Sequence, residues 1–585
     1  MRVVGMCKIG SLHFGRPIPK IETENVWRDL VGRPAIWHVV ERLKKAKTLD
    51  EIVIFGEEVN QREYDLVEKL GLNLHLIGNL GNEDNLDKFS KFLEEIKADV
   101  IVEIPSQWAL VDPETVDLMV EHFISNKLDI LERDYGFLYG TTPTLVYSVN
   151  VFQKLKEIEK SNFKKGETLK APWIFIARER PELFKIDVIF TDRVSQVPKL
   201  YFGSQDSKGM ALVRKIYRKC YKPGEIISLN EILLFYEKDP NWFKFLPESQ
   251  LEIEVTNDCN LKCIMCPRTS EMSREINYMD FELFKKIVDE TDVLSIHFSG
   301  LGEPLLHPQI KEMFTYAKEK GLEVGLWTNG IELTEDLSKE ILERGFLDYI
   351  IFGLDADTKE TYTKVKGVDV FDKAIENITR FLRLKKEKVE EIEENKYGWL
   401  NIIKPIVGVQ ILKMKENDAE IEKFMNKWDY MNKIKKMINY RNRFQELSMI
   451  KNEGERSLSL QKLYKELYNT FYTKAELPVE HAIIGHFNNC CGQIEDRSVV
   501  NVTPLKRFVC KQLQSGVSVL WNGDVVLCRQ DFDGKYPLGN LKEQSLDEIL
   551  ESQKLKVIWQ AHKDKEYGKL PLCKDCKEWY YNIYA

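Results

Sequence analysis

The stretch LEIEVTNDCNLKCIMCPRTS (251–270) decides how the rest of the chain is interpreted. A short apolar run suited to a buried strand is followed at once by three cysteines, Cys259, Cys263 and Cys266. Three thiolates on one tight loop can hold three irons of a [4Fe–4S] cube, a cluster that ordinarily takes four cysteines. Since no fourth cysteine or histidine follows nearby, one iron would keep an open position. A structural zinc site, the alternative, favours paired CxxC knuckles and four ligands, which this loop lacks.

The loop lies at the start of a regular alternation of strands and helices. Apolar runs predict strands at 251–255, 293–298, 322–327, 349–354 and 406–412. Helical faces lie between them, and the one formed by Leu337, Ile341 and Leu342 is expected to end at Gly345. The strands are about one βα unit apart, so we expect a partial barrel that carries its chemistry at the carboxyl ends of its strands.

This region resembles the radical S-adenosylmethionine (SAM) enzymes, whose signature CxxxCxxC matches the three cysteines. The resemblance implies a partial (β/α)6 barrel and a cluster whose open iron binds SAM. One electron then breaks the sulfonium C–S bond, and a 5′-deoxyadenosyl radical abstracts hydrogen from a substrate. The resemblance also implies that Met265 packs near the adenine. SGLGEPLLHP (299–308) resembles the family's GGEP segment, which makes Gly302 and Glu303 the residues that meet the methionyl ammonium. A carboxylate suits an ammonium, and glycine allows close backbone approach.

Two further segments resemble the family at strand ends. WTNG (327–330) closes the third predicted strand, where Asn329 could reach the ribose or the substrate. GLDA (353–356) resembles the family's SLDA segment, with Gly353 in place of the usual Ser and with Asp355 retained. Turn-forming or helix-capping roles for Asn329 and Asp355 are equally compatible with the sequence. The sequence names no catalytic base and no radical-quenching residue.

A second group of cysteines closes the chain: Cys510, Cys528, Cys573 and Cys576. VSVLWNGDVVLC (517–528) predicts a hairpin that turns at its NG dipeptide. Four thiolates of this kind suit either one cluster or a structural zinc ion. Their order and spacing resemble the SPASM or twitch extension of radical SAM enzymes, the spiro-SPASM family in particular, which implies one auxiliary [4Fe–4S] cluster ligated by all four. The adjacent Cys490 and Cys491 lie outside this pattern and are expected to be packing or incidental residues.

Residues 1–235 predict an α/β sheet of their own, with strands at 3–5, 51–55, 74–77 and 99–104. The segments 29–54 and 211–233 resemble cytidylyltransferase-like sugar nucleotidyltransferases, including the spore-coat polysaccharide type. Active relatives bind a metal through an Asp where this chain has Gln107, and without carboxylates magnesium lacks a hard oxygen anchor. We therefore expect a nucleotidyltransferase-like α/β sandwich that kept its fold, with nucleotide or sugar binding, and lost transfer chemistry.

The whole chain has 585 residues, a formal charge of −8 and 11 cysteines. We expect four segments: a cytidylyltransferase-like domain at 1–245, the barrel at 246–430, a helical insertion or linker at 431–485 and the small auxiliary cluster domain at 486–585. The acidic balance excludes a strongly basic nucleic-acid binder, and no apolar run approaches the ~20 residues of a membrane span. A large chain rich in cysteine and without an apolar leader is expected in the cytoplasm.

Taken together, the resemblances imply a radical SAM enzyme whose cofactors are SAM, a SAM-binding [4Fe–4S] cluster and one auxiliary [4Fe–4S] cluster. Its implied partners are a substrate of peptide, protein or nucleotide-sugar type and an electron donor such as flavodoxin or ferredoxin. Two alternatives come from other classes. One is a sugar nucleotidyltransferase with an accessory metal domain, and the other is a binding scaffold stabilised by zinc at both cysteine groups.

Overall fold

Two large β-sheets organise the computed structural model of the chain, one of seven strands and one of nine. The first lies in a unit formed by Met1–Phe243 and Glu446–Gln461, and the second in a unit formed by Lys244–Gln445 and Lys462–Ala585. The structure describes the chain except residues 10–11, 14–15, 18–25, 57–60, 70, 72–73, 77–84, 134–140, 142, 163–176, 178–179, 181, 190–201, 203–206, 240–241, 244–249, 291–292, 294, 394–403, 451–455, 457–458, 461, 464–465, 468–469, 472–473, 501–502, 505 and 581–585.

The sheet of the first unit is mixed. Across the sheet its strands follow the order Ile186–Ile189, Ile130–Arg133, Leu145–Ser148, Val100–Pro105, Val3–Ile9, Glu51–Gly56 and Leu74–Leu76. Neighbouring strands are parallel except where the third of these pairs with its two neighbours. Two short hairpins pair Leu12–His13 with Arg16–Pro17 and Asp29–Leu30 with Arg33–Pro34. The four strands predicted from apolar runs are confirmed.

Helices pack on both faces of this sheet. Those that the structure describes are Ala35–Leu43, Gln61–Lys69, Asn85–Glu95, Pro113–Ser125, Asn150–Asn162, Ser207–Cys220 and Leu229–Lys238. Along the inner strand Val3–Ile9, Val3 and Cys7 belong to one buried cluster, whereas Val4 and Met6 belong to another. A strand buried on both faces reads as an uninterrupted apolar run, which is why the sequence predicts an α/β sandwich here.

The second sheet is parallel over most of its width. Across it the strands follow the order His481–His486, Ile406–Lys413, Tyr349–Gly353, Glu323–Thr328, Ser295–Phe298, Leu251–Ile253, Val517–Val519, Asp524–Val526 and Gly539–Asn540. The first seven are parallel, and the last two add an antiparallel meander. The NG hairpin predicted at 517–528 is therefore confirmed.

Helices connect these strands. They are Pro267–Ser270, Phe281–Glu290, Ile310–Glu319, Glu335–Arg344, Lys359–Lys366, Phe371–Glu393, Ile421–Trp428, Tyr430–Met437, Tyr440–Ser448, Lys511–Ser515, Leu546–Leu550, Gln553–Lys563 and Pro571–Lys574, with short 3-10 helices at Pro304–Leu306, Asp418–Glu420 and Tyr567–Lys569. The helix predicted to stop at Gly345 does so, with φ +63° at that residue. Only glycine takes this left-handed conformation at little cost.

The sixth parallel strand differs from the sequence expectation. We expected the barrel to end at residue 430 and a helical segment to follow until 485, yet His481–His486 pairs in parallel with Ile406–Lys413. Helices do occupy Tyr430–Met437 and Tyr440–Ser448, so the insertion precedes the strand. The strand lies at the edge of the sheet, and Gly485 is its only buried residue. It therefore lacks the continuous apolar run by which a buried strand is recognised in a sequence.

Among the described residues, no helix is long and apolar enough to cross a bilayer.

Asp348 lies at the amino end of a barrel strand and is 5% exposed. It accepts hydrogen bonds from Val324 N–H at 2.7 Å and from Lys318 Nζ at 2.7 Å, and it pairs with Lys404. Burial alone would raise the pKa of Asp348, but the two ammonium groups hold it below its ordinary value. Its ionised form is therefore stabilised by the fold.

We expect Asp348→Asn to lower the free energy of unfolding by about 2 kcal/mol, because charge-assisted hydrogen bonds are lost. Urea unfolding measures this. The pKa of Asp348 is lower in the folded than in the unfolded state. The loss of unfolding free energy in Asp348→Asn is therefore complete above about pH 4 and becomes smaller as the pH falls further. Glu282→Gln, which breaks an exposed pair with Lys285, serves as control and should change little. Equal stability of Asp348→Asn and the wild type at pH 7 would contradict this account.

Candidate iron–sulfur centres

The cysteine loop is tied to the end of a barrel helix by its backbone. Lys262 N–H donates to Lys366 O at 3.0 Å, and Ile264 N–H donates to Val365 O at 3.0 Å. Gly367, next along the chain, has φ +71°, and a Cβ there would lie 2.3 Å from Lys262 O. Main chain thus packs against main chain, which fixes the loop without help from the cysteine side chains.

The three cysteines Cys259, Cys263 and Cys266 form one half-buried group. Each interacts electrostatically with another of the three, and burial raises the pKa of each to about 11. Thiolates are therefore disfavoured here unless a cation neutralises them. An iron cluster supplies that cation, so the chemistry of this set fits three of the four ligands of a [4Fe–4S] cube, with one iron free for another ligand.

A buried cation that the sequence did not indicate lies beside these thiols. Lys366 is 4% exposed, and its Nζ donates to Asp355 Oδ2 at 2.6 Å and to Gly353 O at 2.7 Å. Burial opposes the charge of Lys366, but Asp355 and then Cys263 raise its pKa above the ordinary value. The ammonium is thus held charged next to the cysteine loop. Lysine at a helix end is common, so only the fold reveals this role.

Asp355 itself is a positioning residue in the structure. Its backbone has φ +61°, and its other carboxylate oxygen accepts from Leu412 N–H at 2.6 Å. Asn417 Nδ2 donates to its carbonyl at 2.8 Å. The Asp355 side chain therefore joins the strand end at Gly353 to the next strand and to Lys366. Its predicted part in SAM binding remains a prediction.

The GEP segment packs directly on the cysteine loop. A Cβ on Gly302 would lie 2.1 Å from Thr256 O and 2.6 Å from Asp258 O, so no side chain fits there. Glu303 N–H donates to Asp258 O at 2.7 Å. The tight contact requires glycine at position 302, and its place beside SAM stays a prediction.

The Glu303 carboxylate is 2% exposed and organises the neighbouring turn. It accepts hydrogen bonds from Leu305 N–H at 3.0 Å, from the Thr328 hydroxyl at 2.8 Å and from Asn329 N–H at 2.8 Å. Burial raises its pKa to about 6 against the effect of these donors. Asn329 in turn accepts from Ile331 N–H at 2.9 Å and donates to Asn260 Oδ1 at 2.8 Å. The Asn329 side chain therefore shapes the turn.

A cavity of about 250 Å³ opens next to the cysteine loop. Met265 and Cys266 form part of its wall, as do Gly300 and Leu301 of the GEP segment. The lining also includes Cys490, Arg529 and Gln530, from the part of the chain that carries the second cysteine group. The predicted adenine contact of Met265 is therefore possible, because its side chain borders this space.

The second group of cysteines is also brought together. Cys510, Cys528, Cys573 and Cys576 interact electrostatically with one another, and burial raises the pKa of Cys510 to about 11 and of Cys573 to about 12. Among the described residues, no three His, Cys, Asp or Glu side chains converge closely enough to hold a single metal ion. These four residues fit the predicted auxiliary cluster.

The adjacent Cys490 and Cys491 are buried and half-buried, respectively, and their expected role as packing or incidental residues stays a prediction. The thiols of Cys491 and Cys576 interact, which lowers the pKa of Cys576 and raises that of Cys491, and Cys576 Sγ donates to Glu578 Oε2 at 3.6 Å. Cys490 is 8% exposed on the wall of the cavity beside Cys266, and burial raises its pKa to about 12. It therefore keeps its proton at neutral pH. The spacing of the cysteines in the sequence did not predict that Cys490 and Cys491 would lie near the two cysteine groups.

Comparison with known families gives three matches along the chain. Residues 253–427 match the radical SAM superfamily, residues 510–577 match the iron–sulfur cluster-binding domain SPASM, and residues 24–201 match a cytidylyltransferase family. The order of the three agrees with the order expected from the sequence.

Individual proteins are similar over parts of the chain. The tungsten-containing aldehyde ferredoxin oxidoreductase cofactor-modifying protein of Pyrococcus furiosus is 25% identical over 351 residues, which cover 56% of this chain and 86% of that protein. A probable GTP 3′,8-cyclase of Saccharolobus islandicus is 31% identical over 216 residues, which cover 32% of this chain and 68% of that protein. The solved structure of SuiB from Streptococcus suis bound to SAM aligns with 15% identity and a TM-score of 0.36, over 74% of this chain and 85% of that one.

Gly302→Ala should weaken SAM binding by at least tenfold, because the added Cβ has to push the GEP segment away from Thr256 and Asp258. Equilibrium dialysis with labelled SAM on the reconstituted protein measures this, and iron analysis confirms that clusters are present. Gly353→Ala is the matched control, since its Cβ would meet only Thr328 O at 4.0 Å. Unchanged SAM affinity in Gly302→Ala would show that the segment does not border the SAM site.

Proposed function

This chain is a member of the radical SAM superfamily, and we propose that it is an enzyme that removes a hydrogen atom from a polar substrate held beside the cysteine loop. Its cofactors are SAM and a SAM-binding [4Fe–4S] cluster, and its iron–sulfur domain carries auxiliary cluster chemistry. The observation that carries the proposal is the group of three half-buried cysteines, one of which, Cys266, borders a cavity of about 250 Å³.

The residues around the loop have separate tasks in this proposal. When bound, the cluster and SAM supply a carbon-centred radical able to abstract hydrogen, and the protein supplies position and shielding. Cys259, Cys263 and Cys266 hold the irons, and Met265 contacts the adenine from the cavity wall. The Gly302 backbone is proposed to meet the methionyl group, from a segment that the absence of a side chain lets pack on the cysteine loop.

We propose that Glu303 both holds the neighbouring turn and accepts a hydrogen bond from SAM. It already accepts three hydrogen bonds, and a carboxylate has room for about four. The remaining acceptor position is available to the methionyl ammonium, an interaction that charge favours. Asn329 and Asp355 are proposed as positioning residues for the SAM site, since their side chains hold the turn and the strand end that border it.

The auxiliary site is proposed to hold one [4Fe–4S] cluster through Cys510, Cys528, Cys573 and Cys576. A cluster with four cysteine ligands has no open iron for a substrate, so we propose that it serves electron transfer or shapes the cavity. The superfamily needs a reductant, and we propose a flavodoxin or a ferredoxin for it. Because thiols and clusters of this kind persist under reducing conditions, the cytoplasm is the proposed location.

The cavity wall supports a polar substrate. Arg529 and Glu252, 3.7 Å apart, border it, together with the amide side chains of Asn488 and Gln530. These few polar groups, in a wall that is otherwise largely apolar, suit hydrogen bonding to a peptide, a protein segment or a sugar-derived molecule, the substrate classes that we propose. The reaction subclass follows from which of these molecules binds.

The amino-terminal part is proposed to bind a nucleotide or a sugar without transferring it. Gln107 follows the strand Val100–Pro105 and is 8% exposed. An amide lacks the negative charge with which carboxylates hold magnesium. We propose the segment boundaries 1–245, 246–430, 431–485 and 486–585, with the strand His481–His486 added to the barrel.

Cys263→Ala should abolish 5′-deoxyadenosine formation from SAM and dithionite, because the SAM-binding cluster loses a ligand. Anaerobically reconstituted wild type is expected to hold about eight irons and the variant about four. Liquid chromatography and iron analysis measure both. Cys220→Ala, which changes a half-buried thiol of the other unit, is the control. Continued 5′-deoxyadenosine formation in Cys263→Ala refutes the assignment, and zinc instead of iron in the wild type supports the scaffold alternative.

The full chain should release no pyrophosphate from CTP in the presence of magnesium and sugar phosphates, because position 107 lacks a carboxylate. A coupled pyrophosphate assay measures turnover, and equilibrium dialysis with labelled CTP measures binding. Magnesium-dependent turnover above background would contradict the interpretation of Gln107 and favour the nucleotidyltransferase alternative.

A further inference from the structure

The guanidinium group of Arg507 contacts two aromatic rings close to the second group of cysteines. Its central carbon is 3.8 Å from the centre of the Tyr567 ring and 5.9 Å from that of the Trp579 ring. A cation within about 6 Å of a ring centre is attracted to the face of the ring. Along the chain Arg507 shortly precedes Cys510, and the two rings flank the CxxC pair at 573–576. The Arg507 side chain is therefore held next to segments that carry three of the four thiols.

Packing fixes the Trp579 ring beside Arg507. Trp579 is 3% exposed, and the Phe508 ring packs edge-on against it, with 4.7 Å between the ring centres. The carbonyl oxygen of Trp579 accepts a hydrogen bond at 2.9 Å from the N–H group of Lys511, the residue after Cys510. The position of the ring, and with it that of the guanidinium group, is therefore tied to the segment that carries Cys510.

Two nitrogens of Arg507 lack the acceptors that a guanidinium group needs. Nε and Nη2 are buried, and neither has a hydrogen-bond partner among the described residues. In the same part of the chain, no carboxylate forms an ion pair with Arg507. Burying a charged group without a hydrogen-bonded partner costs free energy, which a neighbouring anion recovers. The surroundings of Arg507 therefore suit an anionic group beside it.

The second group of cysteines becomes such an anion when it binds a cluster. Arg507 interacts electrostatically with Cys510, Cys573 and Cys576, and in each case its charge favours the thiolate. Burial nevertheless raises the pKa of Cys510 to about 11 and that of Cys573 to about 12, so these two thiols are neutral without iron. Four thiolates outweigh the positive charge of a [4Fe–4S] core, so the ligated cluster is an anion. The partner that suits Arg507 therefore arrives with the cluster.

The cation beside the first group of cysteines has a different environment. Lys366 forms an ion pair with Asp355 at 2.6 Å, so its charge is shared between that carboxylate and Cys263. Arg507 has no such carboxylate partner among the residues that the structure describes. A carboxylate in an ion pair offsets the field of the cation, so an unpaired cation acts more strongly on its neighbours. We therefore expect Arg507 to act on the auxiliary cluster with its full charge, apart from solvent screening.

We propose that Arg507 balances the charge of the auxiliary cluster and raises its reduction potential. The inference rests on the proposed function, which places a cluster at the second group of cysteines. Reduction adds one electron from the flavodoxin- or ferredoxin-type donor and forms or breaks no bond, so the cluster becomes more negative by one charge. A nearby positive charge stabilises this reduced form more than the oxidised form. Of the two roles proposed for the auxiliary cluster, electron transfer is the one that Arg507 affects.

A redox titration tests this in the Cys263→Ala background, which is expected to hold only the auxiliary cluster. Electron paramagnetic resonance measures the reduced fraction at set potentials. We expect Arg507→Gln to shift the equilibrium toward the oxidised cluster at least tenfold, which is about 59 mV for a one-electron couple. Arg507→Lys, which keeps the charge, should shift it less than threefold. Lys506→Gln removes an exposed charge from the neighbouring residue and should shift it less than twofold, because water and salt screen that charge.

Two results of the titration would overturn the role of Arg507. One is a cluster in Arg507→Gln that titrates at the potential of the background protein. The other is a shift in Lys506→Gln as large as that in Arg507→Gln, because the effect would then not depend on the buried position. A tenfold shift in Arg507→Gln with small shifts in Arg507→Lys and Lys506→Gln supports the proposal.

Iron analysis of each protein separates this inference from the function on which it rests. If the Cys263→Ala background holds no iron, the proposed auxiliary site fails and the inference fails with it. If only Arg507→Gln loses the cluster, Arg507→Lys decides. About four irons in Arg507→Lys, with a potential close to that of the background, support a role of the positive charge. Loss of the cluster from both Arg507 variants, or a tenfold shift in Arg507→Lys, contradicts that role.

Discussion

Burial of three thiols in one turn of chain is the constraint on which the barrel's chemistry depends. Burial raises the pKa of Cys259, Cys263 and Cys266 to about 11, so none of them ionises readily in the apoprotein. Iron makes the thiolates favourable, and the unfilled corner of the cube is then available to SAM. The loop does not rely on metal for its shape, because Lys262 and Ile264 are hydrogen-bonded to the end of the neighbouring helix. A preformed site of this kind needs little reorganisation when the cluster assembles.

The residues around the cysteine loop determine its electrostatic environment as well as its shape. Lys366 is buried next to Cys263 and forms an ion pair with Asp355, and its ammonium group opposes the rise in the pKa of Cys263 that burial causes. Glu303 holds the adjacent turn through three donors. Gly302 lets the GEP segment touch the loop. These few residues connect the ends of five strands at the carboxyl edge of the sheet, where the site lies.

The sequence predicted the elements whose signal is local. Contiguous apolar runs identified five parallel strands, Gly345 marked a helix end, and the CxxxCxxC loop identified the cluster site. What it missed depends on long-range contacts. The strand His481–His486 is an edge strand with a weak apolar pattern, and Lys366 has no motif to distinguish it from surface lysines. Cys490 borders the same cavity as Cys266 only because folding brings these distant parts of the sequence together.

The central claim is that an incomplete cube at Cys259, Cys263 and Cys266 binds SAM through its open iron. Electron paramagnetic resonance tests it most directly in a Cys573→Ala variant, reconstituted and reduced, in which the auxiliary cluster no longer contributes. The account predicts a reduced [4Fe–4S] signal whose g values shift when SAM is added, with hyperfine coupling to ¹⁵N or ¹⁷O in the methionyl group of labelled SAM. A signal that SAM leaves unchanged, or the absence of an iron–sulfur signal, would contradict it.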